Sequence, residues 1–118
     1  MKIGIDSVDI SRIEKLLEKK NFLTRVFSEE EQKEFLSRGN KPQHIAAAFA
    51  AKEAFSKAMG TGIVGFSLNE VSLLHKENGK PFLSFSGRAE ELTVKNGFSF
   101  DVSVTHTDTL ATVIVIAF

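Results

Sequence analysis

The chain has 118 residues, 42% of them hydrophobic and 25% charged, and its fifteen acidic and fifteen basic residues cancel. These values predict one globular domain over residues 1–118, and the balanced charge argues against a broad nucleic-acid-binding face. The chain has no cysteine and therefore neither disulfides nor thiol chemistry. No apolar run is long enough to span a membrane, and Asp6 comes too early for a signal peptide, so we expect a soluble cytoplasmic protein.

The first half of the chain is predicted to contain one strand and three helices. Residues 2–8 form a short strand, and from Asp9 the apolar residues recur at helical spacing. A capping box at Ser28 opens a second helix that ends near residue 38. The third and longest helix is predicted over residues 42–59, with a proline in its first turn.

The second half is predicted to contain two β-hairpins separated by a helix. Asn78-Gly79 is a strong turn signal for the first hairpin. The predicted ranges are 68–75 and 81–85 for the first hairpin, 88–96 for the helix, and 98–105 and 110–118 for the second hairpin. We therefore predict an α+β fold in which a mostly antiparallel sheet packs against the long buried helix.

The long helix carries charged residues in an apolar setting. Thirteen of the eighteen residues from 45 to 62 are Ala, Gly, Phe, Ile or Met, which predicts burial on most faces. A buried carboxylate such as Glu53 is unfavourable unless it meets a cation or hydrogen-bond donors. Gly60 and Gly62 end the helix and bring bare backbone close to whatever lies beyond it. A carboxylate, the two amines of Lys52 and Lys57, and a glycine turn could together hold a metal ion and a phosphate.

Asp6 and Glu53 each allow two interpretations. Asp6 interrupts an apolar strand, and it, Ser7 or Asp9 could simply cap the following helix. Glu53 could form an exposed ion pair with Lys57 four residues later, although the apolar neighbours favour a functional carboxylate. The functional interpretation joins Asp6 and Glu53 as magnesium ligands, because Mg²⁺ commonly takes one or two carboxylates and completes its shell with water and phosphate oxygens.

Four side chains have less specific signals. Lys52 and Lys57, taken alone, are predicted to be solvated surface lysines. Lys80 lies in a tight turn where it could meet a phosphate. His106 follows a β-rich run, where it is either a polar turn residue or a partner for a phosphate or hydroxyl group.

Four segments in order resemble one family, the bacterial holo-acyl-carrier-protein synthases, which are short 4′-phosphopantetheinyl transferases. GIDSVDISRIEK is similar to the family signature Gly-x-Asp-x-x-x-x-x-Arg-Ile, with Asp6 as the aspartate and Arg12 as the arginine. FAAKEAFSKAMGTGI resembles the central Lys-Glu-Ala segment, and Asn78-Gly79-Lys80-Pro81 resembles the Gly-Lys-Pro turn. The end, VSVTHTDTLATVIVIAF, is similar to the Ser-x-Ser-His strand and closing hairpin. The resemblance covers nearly the whole chain.

The resemblance implies transfer of 4′-phosphopantetheine from coenzyme A to a serine of apo acyl carrier protein, with release of adenosine 3′,5′-bisphosphate. This is a step of fatty acid biosynthesis and lipid metabolism. It also implies a homotrimer with sites at the subunit interfaces. The residues carried over are Asp6 and Glu53 for magnesium, Glu53, Lys57 and His106 for catalysis, and Lys57, Gly60, Gly62, Lys80, Pro81 and His106 for coenzyme A.

Two positions depart from the family pattern. Ala48 stands where many relatives carry arginine, which removes a candidate phosphate contact. Thr105 replaces the serine beside His106. Neither departure affects the predicted metal pair.

Three questions remain open from the sequence. The base for the serine proton is either Glu53, acting through a water molecule, or His106. A magnesium-dependent phosphohydrolase of a nucleotide substrate, or a non-catalytic trimeric binding module, could use the same residues. An acidic carrier protein would dock on a basic helix face, although the same pattern also fits an ordinary charged helix; the basic residues concerned are Arg12, Lys15, Lys19, Lys20 and Arg25.

Overall fold

The structure, a computed structural model, describes residues 1–118. Its strands are β1 (Lys2–Asp9), β2 (Val71–His75), β3 (Pro81–Phe85), β4 (Phe100–His106) and β5 (Leu110–Ala117). Its helices are α1 (Ile10–Leu17), α2 (Phe22–Val26), α3 (Glu29–Ser37), α4 (Pro42–Met59) and α5 (Gly87–Asn96), with a 3₁₀ turn at Leu68–Glu70. The predicted α+β class with antiparallel sheets is confirmed.

Three local predictions were wrong. The short helix α2 was not predicted, because its five residues are fewer than two helical turns and leave no measurable periodicity. The predicted strand 68–75 begins only at Val71, since Leu68–Glu70 forms a 3₁₀ turn. His106 is the last residue of β4 rather than the first residue of a loop.

Two antiparallel sheets surround α4. The larger sheet has the strand order β1-β5-β4, and the smaller one pairs β2 with β3. In the larger sheet Asp6 is paired with Val113, which is in turn paired with Val104. Alternate residues of β5 are buried, because one face of this sheet packs on α4 and the other does not.

The close packing of β1 on α4 depends on Gly4. A side chain at this position would overlap the carbonyl oxygen of Ala54 and the amide nitrogen of Ala58. The alanines of α4 match this close approach, and Ala54 has no exposed surface. The strand that carries Asp6 is thereby held directly against the helix that carries Glu53.

The outer face of the larger sheet carries an apolar patch that is uncovered in the single chain. Ile3 is 62% exposed and Ile5 is 56% exposed. Ile114 and Ile116 of β5 are half-buried on the same face. A contiguous apolar surface of this kind is typical of an interaction site.

Lys52 is fully buried, so the prediction of a solvated surface lysine at this position was wrong. Its Nζ lies 2.5 Å from Oε1 of Glu31, and both side chains are inaccessible to solvent. Nζ also donates to the carbonyl oxygen of Val71 and lies 5.1 Å from the ring centroid of Phe27. Oε2 of Glu31 accepts from the amide of Leu73. The ion pair therefore links α3, α4 and β2.

Burial governs the titration of this pair. It raises the pKa of Glu31 and lowers the pKa of Lys52, and the attraction between the two charges opposes both shifts. Pairing is what makes two buried charges tolerable in the core. The apolar residues around Lys52 correctly indicated burial of the helix, but no local pattern indicated that the partner of Lys52 lies 21 positions earlier.

None of the helices combines the length and the apolar character that crossing a membrane requires.

Candidate active site

Asp6 and Glu53 come together at the carboxyl-terminal half of α4. Gly4 rests on Ala54 and Ala58, and Asp6 follows two residues later on the same face of β1. The negative charge of Asp6 contributes to the raised pKa of Glu53, which identifies the two carboxylates as electrostatic neighbours.

Lys57 joins the same group by contacting β1. Its Nζ lies 3.1 Å from Oδ1 of Asp6 and donates to the carbonyl oxygen of Ile5 at 3.0 Å. The side chain of Asp6 is 16% exposed and that of Lys57 is 56% exposed. The expectation of a solvated lysine is therefore met at Lys57, although its amine is tied to β1.

Two cations and two carboxylates define the electrostatics of this group, which we call the carboxylate cluster (Asp6, Arg12, Glu53 and Lys57). Burial is the main reason that the pKa of Glu53 is raised, and the charge of Asp6 adds to the shift. Arg12 and Lys57 act in the opposite direction. The guanidinium of Arg12 is itself placed over the ring of Phe49, 5.5 Å from its centroid.

The structure contains neither of the two local alternatives, which were a helix-capping role for Asp6 and an ion pair between Glu53 and Lys57. Asp9 occupies the N-cap position of α1 and makes no side-chain capping bond, and Asp6 lies within β1. Glu53 makes no salt bridge with Lys57, whose carboxylate partner is Asp6. Asp6 therefore does not serve as a helix cap, and Glu53 does not serve as the ion-pair partner of Lys57.

The cluster has the donor set that Mg²⁺ uses in proteins. No group of three or more His, Asp or Glu side chains converges at metal-binding spacing. A pair of carboxylates is nevertheless sufficient for magnesium, which keeps several waters and takes its other ligands from substrate phosphates. Asp6 and Glu53 are both partly exposed, which leaves a side on which such ligands can approach.

Gly60 and Gly62 follow the cluster along the chain. Gly60 ends α4 in a left-handed conformation with φ of 76°, and Gly62 has φ of 64°. Nothing lies within 4 Å of the position that a side chain would take at either residue. The backbone at Gly60 and Gly62 is therefore open to solvent, as the predicted close approach of a ligand requires.

His106 and Pro81 line a second site at the opposite end of α4. This site is a cleft of about 240 Å³, which we call the histidine cleft, and its lining includes Arg38, Gln43, His44, His75, Pro81 and His106. Lys80 is exposed in the adjoining turn, where its amide is bonded to Oδ1 of Asn78, and its side chain does not line the cleft.

The sequence prediction missed most of the histidine cleft. Arg38 directly follows α3, His44 lies in α4 and His75 lies in β2, and none of them stands in a motif that indicated a function. The available signal was composition, because all three histidines of the chain line this one cleft. Only tertiary structure brings them together.

The predicted site residues thus form two groups within one chain. With a rise of 1.5 Å per residue, His44 lies about 14 Å from Glu53 and about 20 Å from Lys57 along the axis of α4. Asp6, Glu53, Lys57, Gly60 and Gly62 belong to one end of the helix, and Pro81 and His106 belong to the other.

Comparison with known proteins gives a consistent family. The 4′-phosphopantetheinyl transferase superfamily matches residues 2–109 of the chain. The holo-[acyl-carrier-protein] synthase of Treponema denticola is 43% identical over 116 residues, which are 97% of this chain and 94% of that protein. That of Caldanaerobacter subterraneus subsp. tengcongensis is 40% identical over 118 residues, covering 98% of this chain and 92% of that protein.

Solved structures agree with the sequence comparison. The holo-[acyl-carrier-protein] synthase of Neisseria meningitidis superposes with a TM-score of 0.91 and 32% identity, covering 99% of this chain and 97% of that one. The Helicobacter pylori enzyme in complex with coenzyme A gives a TM-score of 0.87 and 32% identity, covering 98% and 99%. The chain therefore belongs to the holo-[acyl-carrier-protein] synthases of the 4′-phosphopantetheinyl transferase superfamily.

Proposed function

We propose that this enzyme transfers 4′-phosphopantetheine from coenzyme A to a serine hydroxyl of apo acyl carrier protein in a magnesium-dependent reaction. The observation that carries the proposal is the convergence of Asp6, Glu53 and Lys57 where β1 packs on α4. The relatives' names agree with it, and the Helicobacter pylori relative binds coenzyme A.

The reaction is a displacement at phosphorus. The serine oxygen forms a bond to the phosphorus that carries pantetheine, the bond from this phosphorus to the bridging pyrophosphate oxygen breaks, and adenosine 3′,5′-bisphosphate leaves. The serine proton must pass to a base, and the leaving phosphate gains negative charge. Such a reaction depends on alignment and charge stabilisation more than on a protein nucleophile.

The carboxylate cluster supplies these requirements. Asp6 and Glu53 would hold magnesium, which when bound supplies neutralisation of the pyrophosphate charge. Lys57 places a second positive charge beside Asp6, where it opposes charge on the leaving phosphate. Gly60 and Gly62 let the backbone approach the phosphates closely.

Glu53, acting through a water molecule, is the base that the geometry favours over His106. Glu53 belongs to the cluster that would hold the pyrophosphate, whereas His106 lines the cleft at the other end of α4. In this assignment His106 and Pro81 contact the nucleotide part of coenzyme A, and Lys80 reaches it from the adjoining turn.

The separation of the two groups supports a homotrimer with shared sites. A substrate that touches both groups is more readily held when the cluster of one subunit faces the histidine cleft of the next. The exposed apolar patch on the outer face of the β1-β5-β4 sheet, where Ile3 and Ile5 are more than half exposed, provides a surface for such assembly.

The carrier protein would dock beside α1. Arg12, Lys15 and Lys19 line one groove on this helix, and Lys20 and Arg25 follow it along the chain. An acidic partner would be steered to this basic surface, which leads past Arg12 to the carboxylate cluster. The serine would thereby reach the reacting phosphate.

The decisive experiment mixes the protein with apo acyl carrier protein, coenzyme A and Mg²⁺ and records the intact mass of the carrier. We expect the mass to increase by one phosphopantetheine, and the increase to vanish when Mg²⁺ is chelated. Release of adenosine 3′,5′-bisphosphate without any carrier would instead identify a phosphohydrolase. Binding of coenzyme A without either product would identify a binding module.

A further inference from the structure

The buried ion pair of Glu31 and Lys52 makes more directional contacts than charge pairing alone requires. Oε1 of Glu31 accepts from Nζ of Lys52 at 2.5 Å and from the amide of Ser28 at 3.0 Å. Oε2 accepts from the amide of Leu73 at 3.0 Å, and Nζ also donates to the carbonyl oxygen of Val71. The pair therefore joins α4 to the N-cap of α3 and to two residues of β2.

Stability is not a sufficient reason for such a pair. Both side chains have no accessible surface, and removing two charges from water costs about as much free energy as their attraction supplies. An apolar pair of similar volume is often at least as stable. What an apolar pair lacks is direction, because hydrogen bonds depend on angle and distance whereas apolar contacts depend mainly on area.

The remaining buried surface of α4 is smooth over much of its length. Seven of its eighteen residues are buried alanines, namely Ala46, Ala47, Ala48, Ala50, Ala51, Ala54 and Ala58. Because the ridges and grooves that set the packing of a helix are formed by larger side chains, alanine faces restrain its rotation only weakly. The close approach at Gly4 sets the distance between β1 and α4 rather than the rotation of the helix.

Polar contacts from α4 to other elements are few. Among the buried side chains of this helix, Lys52 alone makes hydrogen bonds to another element, since the hydroxyl of Ser56 donates within the helix to the carbonyl oxygen of Glu53. Lys57 contacts Asp6, but its side chain is 56% exposed, and exposed ion pairs contribute little. The buried pair is therefore the main directional restraint on α4.

This restraint acts next to a residue of the carboxylate cluster. Lys52 and Glu53 are consecutive, and successive residues of an α-helix point about 100° apart, so Lys52 faces α3 and β2 while Glu53 lies near Asp6. A carboxylate about 6 Å from the helix axis moves about 2 Å when the helix turns by about 20°. A displacement of about 1 Å can reduce a rate about 100-fold where reacting groups have to be aligned.

Resting on the proposed function, we propose that Glu31 and Lys52 are positioning residues that fix the rotation of α4 and thereby hold Glu53 opposite Asp6. Both side chains are inaccessible to solvent, so they act through the helix rather than by contact with a substrate. Their contribution is to the alignment of the carboxylate cluster more than to the stability of the fold.

The double variant Glu31→Gln with Lys52→Met tests this proposal, because it removes both charges and leaves no unpaired buried charge. Urea denaturation should show that it recovers most of the stability that Lys52→Met alone loses. Carrier modification should nevertheless fall at least about tenfold in kcat, while KM for the carrier changes by less than about twofold. This division separates a loss of alignment from a loss of folded protein or of docking.

Ile45→Val is the matched control in the same helix. Ile45 is buried in α4 and takes no part in the ionic contacts, and removing one methylene there lowers stability without removing a directional bond. We expect this variant to keep the kcat of the unmodified protein.

Crystal structures of the unmodified protein and the double variant give a readout that needs no activity. The carboxylate of Glu53 should be displaced by about 1 Å or more relative to Asp6, or occupy more than one position, in the double variant. β1 and β5 should remain where they are, because neither strand contacts the pair.

A stable double variant with full kcat would overturn the proposal, and so would a Glu53 carboxylate that stays in place. The proposal also fails if kcat simply follows stability across Lys52→Met, Ile45→Val and the double variant, since destabilisation then explains the loss. If the unmodified protein does not modify the carrier, the proposed function is lost, but the crystal structures still decide whether the pair positions Glu53.

Discussion

Nζ of Lys57 lies 3.1 Å from Oδ1 of Asp6, although the two residues stand 51 positions apart in the chain. This contact fixes the carboxyl-terminal end of α4 against the middle of β1. It leaves Glu53 beside Asp6 without a cation of its own at salt-bridge distance. The proposed reactive end of the molecule is therefore built on a strand and a helix rather than on loops.

Replacing Glu53 by Gln should abolish carrier modification without unfolding the protein. The amide removes both the proposed base and one of the two magnesium ligands, and it also relieves the repulsion from Asp6. We expect a rate reduction of at least about 100-fold, measured by intact mass of the carrier. Near-normal turnover in this variant would remove Glu53 from the mechanism, and an unchanged melting temperature is the control.

Replacing Lys52 by Met should destabilise the fold by about 3–5 kcal/mol, because Glu31 is left as an unpaired buried carboxylate. The double variant with Glu31→Gln should recover much of this loss. Urea denaturation measures both free energies of unfolding. If the single and double variants are equally unstable, the ion pair is not the cause.

The Lys52→Met variant should also show a characteristic pH dependence. Burial raises the pKa of Glu31 above its ordinary value of 4.5, and removing Lys52 removes the charge that opposes this shift. A raised pKa in the folded state contributes stability that is present below 4.5 and lost as the pH rises through the folded pKa. The deficit relative to the unmodified protein should therefore shrink toward acidic pH.

Replacing Ile3 by Lys should weaken the proposed assembly. Ile3 is 62% exposed on the outer face of the larger sheet, and a buried interface would not tolerate an unpaired charge there. Light scattering should show a smaller oligomer, and carrier modification should fall with it. Val94→Lys is the control, because Val94 is 73% exposed on α5. An unchanged oligomer in Ile3→Lys would place the interface elsewhere.

Reversing the charge of Lys15 should slow association with the carrier protein. Lys15 is exposed on α1 and lines the groove beside Arg12. We expect a lower kcat/KM at low salt, a reduced salt dependence and little change in kcat, since steering acts mainly on association. The same kcat/KM for Lys15→Glu and the unmodified protein at low salt would rule out docking on α1.

The stability of the unmodified protein should fall more steeply in mild acid than that of His44→Phe. The pKa of His44 is lowered from 6.5 in the folded state, so the unfolded chain binds a proton that the folded protein does not. This stability is present above pH 6.5 and is lost as the pH falls toward the folded pKa. Denaturation at about pH 7 and about pH 5 measures it. If the unmodified protein and His44→Phe lose equal stability between these two pH values, the pKa of His44 is not lowered in the folded state.

Local sequence patterns predicted the elements well because their signals are short-range. Both hydrogen bonds of the predicted capping box between Ser28 and Glu31 are present. Gly60 and Gly97 end their helices in left-handed conformations. Among the α-helices and strands only α2 was not predicted, because its Asn21 N-cap makes no side-chain bond and its five residues show no periodicity.

Local sequence patterns were enough to predict the order of every helix and strand except α2, the burial of α4, and the motifs that identify the family. The partners of the charged side chains became visible only in the folded chain, where Lys57 meets Asp6, Lys52 meets Glu31, and the three histidines line one cleft. The physical reason is that helix and strand patterns reflect neighbours a few residues away. Electrostatic partners are selected only when β1, α3 and β4 pack around α4.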